Sequence, residues 1–286
     1  MKFATIEQFS IAGSPERVNE DALAEGPYFA VVIDGATTLG ENLMPGPSDA
    51  QWLARFGARR LAAHASAGAG APRDWVRSAT EDARTSYTAL RRRAPKQRYE
   101  IPCASMMAVA VENDAVTALW FGDCTLIVKT VDGHVTLIGD AVEARGREAA
   151  RAKSVGEAEG GAAPPAPSGV RHAALPMLRK MRNRVNGGGG SWLFGTEPAC
   201  ADHVNEIEAR CGLGATLLLA SDGLFALVSD YGRYDAAEFI AAAENFGLET
   251  LGEELRAVEA ADANGAQYPR FKRSDDATGL LLRLVP

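Results

Sequence analysis

Twice in this chain an apolar run stops at an aspartate followed by a glycine. Phe29-Ala30-Val31-Val32-Ile33 leads into Asp34-Gly35, and Leu217-Leu218-Leu219-Ala220 leads through Ser221 into Asp222-Gly223. Runs of this length and composition read as buried strands. The glycine lets the backbone turn sharply beside the acid. A carboxylate at the end of a buried strand is costly unless a base or a metal pairs with it. Two such ends in one chain imply carboxylates gathered at one place.

The rest of the pattern fits strands and helices around that place. Lys2 to Ile11 reads as a first strand, followed by a turn at Ala12-Gly13-Ser14-Pro15 and a polar stretch from Glu16 to Ala22. After a Gly/Pro loop, Ser48 or Asp49 caps a helix running to about Ala65, with Trp52, Leu53, Phe56 and Leu61 at helical spacing. A second helix is expected from about Arg73 to Arg93. From Cys103 onward Ser105–Val111, Val116–Phe121, Thr125–Val131 and Val135–Ile138 read as an antiparallel meander, with Asp132-Gly133 a strong hairpin signal. The stretch from Gly139 to Ala174 is biased toward Ala, Gly, Glu and Pro and reads as an exposed insertion. A helix over Leu175–Val185, strands at Ser191–Phe194 and Ala215–Ser221, three helices between Leu224 and Ala260, and a last strand over Gly279–Leu284 complete the expectation. The Gly187 to Gly190 run has no lysine at P-loop spacing, so it is read as a turn and not as a phosphate cradle.

Charge narrows the function classes. The formal net charge of −7 argues against a general nucleic-acid or membrane-surface binder and suits a protein that holds cations. No run of about 18 apolar residues predicts a transmembrane helix, and the start lacks the apolar core of a signal peptide; a cytoplasmic location is expected. Cys103, Cys124, Cys200 and Cys211 are scattered and read as reduced thiols, and the four histidines are isolated, so a zinc site is not indicated.

Acidic residues recur at strand boundaries in Glu20-Asp21, Asp34-Gly35, Gly122-Asp123, Asp222-Gly223 and Asp275-Asp276-Ala277-Thr278. Any one of them could merely close a turn. A set of such oxygens suits Mg²⁺ or Mn²⁺, which prefer hard ligands. In order and spacing the set resembles the metal-dependent Ser/Thr protein phosphatases of the PP2C (PPM) type, over nearly the whole chain from Asn19 to Thr278. The resemblance implies an α+β fold, a four-layer α/β/β/α sandwich of two antiparallel sheets flanked by helices. It implies one phosphatase domain over 1–286 that carries the insertion at about 139–174. It also implies roles. Asp34 would bridge two Mn²⁺ or Mg²⁺ ions, with the Gly35 carbonyl on one and Asp222 and Asp275 on the other. Glu20 and Asp21 would reach bound waters, Asp123 with Asp222 would form a weaker third site, and Asp276 would stand behind the ligands. The two ions would activate a bridging water for attack on phosphoserine or phosphothreonine in a protein substrate, with a cognate Ser/Thr kinase as a candidate partner.

The chain departs from that pattern around the substrate. The residues after Asp34-Gly35 are Ala36-Thr37-Thr38, without the family's frequent histidine or glycines. The expected position of the phosphate-binding arginine holds Glu16, with Arg17 one residue late as the candidate for substrate phosphate. Gly-Asp-Ser has become Gly122-Asp123-Cys124. A catalytically degenerate phosphoprotein-binding module, or a phosphatase for a small phosphate ester, therefore stays open beside the active protein phosphatase.

Overall fold

The computed structural model describes residues 1–68, 70–112, 115–158, 172–187 and 189–286. The elements are β1 (Lys2–Ile11), β2 (Asp21–Gly26), β3 (Phe29–Gly35), α1 (Asp49–Ala67), α2 (Pro72–Leu90), β4 (Cys103–Glu112), β5 (Ala115–Phe121), β6 (Thr125–Lys129) and β7 (Val135–Ile138). They continue as α3 (Ala141–Ala158), α4 (Leu175–Arg182), β8 (Phe194–Gly195), β9 (Asn205–Ala209), β10 (Thr216–Ala220), α5 (Asp222–Ser229), α6 (Ala236–Phe246), α7 (Leu248–Ala261) and β11 (Ala277–Val285).

Strand periodicity builds the layers, because successive side chains point to opposite faces. In β3, Phe29, Val31 and Ile33 pack against Leu53 and Leu61 of α1 and Trp75 and Val76 of α2. The alternate residues Ala30 and Val32 face the other way, into a core shared with Leu217, Leu219, Leu280 and Leu282. The outward residues Leu218 and Leu281 then meet Leu224, Phe225, Phe239 and Leu251 of α5, α6 and α7. The result is helices, sheet, sheet, helices, as expected. One sheet runs β2-β3-β4-β5-β9 with β8 on β4; the other runs β1-β11-β10-β6-β7. All ladders are antiparallel. Ser48 caps α1, its Oγ accepting from the Gln51 amide at 3.3 Å.

Three local expectations differ from what is observed. The four-strand meander is split: β4 and β5 belong to one sheet, β6 and β7 to the other, and the chain crosses between them at Gly122-Asp123. Two strands, β2 and β9, went unread. The biased segment after Gly139 forms α3, which buries Ala141, Arg145 and Ala152. Gly160–Pro167, the part of that segment richest in Gly, Ala and Pro, lies outside the described residues, as does Asn113-Asp114, where the sequence reads as a tight turn. Among the described residues no helix is long and apolar enough to cross a membrane.

Candidate metal centre

The acids converge because the strand ends do. Asp34 closes β3, with Asp21 of β2 opposite it on one side and Ser105 of β4 on the other. Ser105 Oγ donates to Asp123 Oδ1 at 2.5 Å, which fixes the acid at the sheet crossing. Gly122 makes the crossing possible: its φ is +69°, and a Cβ there would lie 2.2 Å from Ser105 Oγ. Asp222 opens α5, where the helix N-terminus favours a negative charge. The Ser221 amide donates to the Thr278 carbonyl at 2.9 Å and the Thr278 amide to Ser221 Oγ at 3.0 Å, so the start of β11 is laced to the start of α5. A side chain at Gly223 would place its Cβ 1.9 Å from the Asp276 carbonyl oxygen; only glycine lets these two motifs touch.

One carboxylate oxygen each from Asp34, Asp123 and Asp222 lies within 4.8 Å of the others. They sit in a cleft of about 820 Å³ that Gly35 and Asp275 also line. The Asp34 carboxyl is held well above its ordinary pKa, by burial first and then by Asp222, Asp21, Asp275 and Asp123. Asp21 is 4% exposed, and neither of its oxygens has a hydrogen-bond partner of normal geometry. Burial and then Asp276 push it up to about 7, against the lowering effect of the Thr278 and Ser221 hydroxyls. Such a concentration of uncompensated acid calls for an external cation, and carboxylate oxygens at this spacing suit a hard divalent one.

Asp222 and Asp275 are in a different position, since each is ion-paired. Arg145 of α3 donates from Nη1 to Asp222 Oδ2 at 2.8 Å and from Nε to Asp230 Oδ2 at 2.9 Å. Lys272 Nζ donates to Asp275 Oδ1 at 2.7 Å. Burial raises Asp275, but the charge and hydrogen bond of Lys272 outweigh it and leave the carboxyl below its usual range. Lys272 is in turn held above the ordinary lysine value, because Asp275 more than reverses the effect of burial.

The other expected residues surround the cluster without lining the cleft. Glu20 is buried, with Oε2 accepting from Thr37 Oγ1 at 2.6 Å and Oε1 from the Ser48 hydroxyl. Asp276 accepts from the amides of Gly13 at 2.8 Å and Glu20 at 2.6 Å, tying the β1–β2 connection to β11. Arg17 rests 3.6 Å from Glu20. The cations that line the cleft are others: Arg147 and Arg151 of α3, Arg182 of α4, Arg184 and Lys272. Arg182 Nη1 donates to the Ala36 carbonyl at 3.4 Å, immediately after Asp34-Gly35. Cys124 is fully buried, and burial and then Asp34 hold its thiol well above the usual value, so it is no thiolate nucleophile.

Sequence reading missed Lys272, Arg145 and Arg182. Lys272 stands three residues before Asp275, a spacing that could have drawn notice; Arg145 and Arg182 carry no local signal, because they reach the site only through the packing of α3 and α4.

No family model matches the chain, and no curated protein matches it in sequence. Solved structures do match in shape. The serine/threonine phosphatase PstP/Ppp of Mycobacterium tuberculosis superposes with a TM-score of 0.57 at 16% identity, over 100% of both chains. The PPM Ser-Thr phosphatase MsPP of Mycobacterium smegmatis, in complex with cacodylate, gives 0.54 at 20% identity over 98% of this chain and 99% of that one. The catalytic domain of PstP in complex with two manganese ions gives 0.54 at 15% identity, over 100% and 99%. The fold is that of the PP2C-type (PPM) phosphatases.

Proposed function

We propose that this chain is a metal-dependent phosphatase that hydrolyses phosphoserine or phosphothreonine in proteins. The observation that carries the reading is the convergence of Asp34, Asp123 and Asp222 oxygens within 4.8 Å of one another on the floor of an open cleft. These residues would hold Mn²⁺ or Mg²⁺, with the Gly35 carbonyl beside them and Asp21 behind. A divalent ion bound there supplies activation of water and positive charge for the phosphoryl oxygens. Were a second ion bound, as in the manganese-bound PstP domain, Asp34, Asp222 and Asp275 would be the residues to hold it.

The chain's own residues supply the rest. Ser105 orients Asp123, and Asp276 anchors the backbone of Glu20, whose carboxylate is held by Thr37 and Ser48. Arg182, next to Ala36 in the cleft, is placed to grip a phosphate, a planar fork suited to that anion. Arg17, the position nearest the expected phosphate arginine, rests 3.6 Å from Glu20 and outside the cleft lining. A phosphoprotein as substrate rests on the Ser/Thr phosphatases among the structural neighbours and on the openness of the cleft. The same reading has the protein working in the cytoplasm against a Ser/Thr kinase.

Hydrolysis of p-nitrophenyl phosphate in Mn²⁺, with and without a chelator, tests the activity. Turnover that rises with Mn²⁺ and disappears on chelation is expected. Metal-independent turnover, or none at any metal concentration, contradicts the reading.

A further inference from the structure

The two flanks of the acid cluster are charged differently, and the flank at Asp275 is already filled from within. Lys272 reaches Asp275 Oδ1 at 2.7 Å from three residues upstream. Its side chain is 21% exposed, and it lines the cleft beside Asp34, Asp222 and Asp275. The segment that carries it is fixed on its N-terminal side. Phe271 is buried with Ala152 of α3 and Ala174, just ahead of α4. The buried guanidinium of Arg270 donates to the Asp262 carboxylate at 2.8 Å, to the Asp262 carbonyl at 2.6 Å and to the Tyr268 carbonyl at 2.9 Å. It also reaches the carbonyls of Arg273 at 3.0 Å and Glu259 at 3.3 Å. A lysine on a stem fixed in this way is a built feature of the site.

An ammonium in that place competes with a metal ion. An ammonium at hydrogen-bond distance from a carboxylate would repel a divalent ion on that same carboxylate strongly in a partly buried setting. At the other flank, Asp34 and Asp123 have no ion-pairing cation among the described residues, and Asp222, although Arg145 holds its Oδ2 at 2.8 Å and shares its guanidinium with Asp230, still places an oxygen within 4.8 Å of theirs.

Resting on the reading of this cluster as a metal site, we propose that Lys272 is a built-in counter-charge that holds Asp275 against a second divalent ion. The chain then takes one tight ion, between Asp34, Asp123 and Asp222, where the two-ion pattern would place a pair. Lys272 and that ion together provide the positive charge that two metals provide in the paired arrangement.

The test counts bound Mn²⁺ by calorimetry, and independently by the loss of the free-ion EPR signal, on the full chain. One tight site is expected in the wild type and in Lys272→Arg. Lys272→Met and Lys272→Gln should each gain a second site, or tighten a weak one at least tenfold, and Lys272→Met/Asp275→Asn should return to one. Asp275→Asn alone should keep the single tight ion; this arm decides the matter even if neither neutral Lys272 variant folds. Two ions of equal affinity in the wild type, an unchanged count and affinity in both neutral variants, or loss of the tight ion in Asp275→Asn overturns the inference. Absence of any bound ion in every variant overturns the metal reading of the cluster as well, and so separates failure of the proposed function from failure of this proposal alone.

Discussion

Asp34 and Asp275 both sit at the ends of the sandwich's buried strands, and they are treated in opposite ways. Asp34, from the sheet that packs on α1 and α2, is pushed well above its ordinary pKa, by burial first and then by Asp222, Asp21, Asp275 and Asp123. Asp275, ahead of β11 in the other sheet, meets Lys272 and is held below it. Asp222 stands between, offering one oxygen to the Asp34–Asp123 group while Arg145 takes the other flank. Among the described residues Asp34 thus makes no ion pair, while Asp275 carries its own. Identical residue types, converging on one cleft, are left without an ion pair or given one according to what the neighbouring segment brings.

The sharpest way to break this comparison is to neutralise each acid in turn. Asp34→Asn should cut Mn²⁺-dependent hydrolysis at least about a hundredfold, the scale of losing a main electrostatic contributor. Circular dichroism should show the fold intact, because the change relieves repulsion among the carboxylates. Asp275→Asn should cost clearly less, since its partner is a lysine. Equal losses for the two, measured as kcat/KM on one substrate, would erase the distinction.

Arg145→Leu probes the internally paired side. Arg145 is 8% exposed and bridges Asp222 and Asp230, so its removal takes a guanidinium away from two nearly buried acids. A loss of about 3 kcal/mol in denaturant unfolding of the metal-free protein is expected, partly restored by Mn²⁺, which binds only the folded state. An unchanged midpoint would mean that α3 is no part of the site's electrostatics.

The uncompensated side also predicts a pH dependence. Burial and then Asp276 push Asp21 up to about 7 in the folded chain, from 3.8 for an unperturbed aspartate. Between those values the folded state binds more protons than the unfolded one. Stability of the metal-free protein should therefore fall as pH rises from about 4 to about 7. Thermal melts across that window, repeated with Mn²⁺, check it: the metal should flatten or reverse the slope. A metal-free protein that gains stability across the window would contradict the assignment.

The smallest effect expected is on substrate binding. Arg182→Ala should raise KM for a phosphothreonine peptide several-fold with a modest change in kcat, while Arg17→Ala changes KM less. Removal of a grip made equally in ground and transition states has that signature. The reverse order would restore Arg17 to the role the sequence pattern assigns it.

How much of this was legible beforehand follows from where each feature gets its energy. β3 and β10 announce themselves because their residues are buried on both faces, and α1 because Ser48 caps an apolar stripe. β2 and β9 do not, because they are the edges of their sheet: Asp21-Ala22-Leu23-Ala24-Glu25 has no β-branched residue, and Asn205-Glu206-Ile207-Glu208 is mostly polar, as an edge permits. The crossing at Gly122 looks in sequence like any tight turn; only the second sheet's demand for β6 reveals it. α3 is rich in good helix formers yet lacks an apolar stripe, so its composition reads as an exposed segment. The acids of the site could be named in order from their motifs. The cations beside them could not, because Arg145 and Arg182 arrive from segments whose placement is set by tertiary packing.

The most direct test of the account is steady-state hydrolysis of a phosphothreonine peptide by the purified chain as Mn²⁺ is titrated in and then chelated, with bound metal counted in parallel. The account predicts turnover that follows occupancy of the Asp34–Asp123–Asp222 site and vanishes reversibly on chelation. Full occupancy of that site with no release of phosphate would contradict it, leaving a metal-binding fold that holds phosphoprotein without cleaving it.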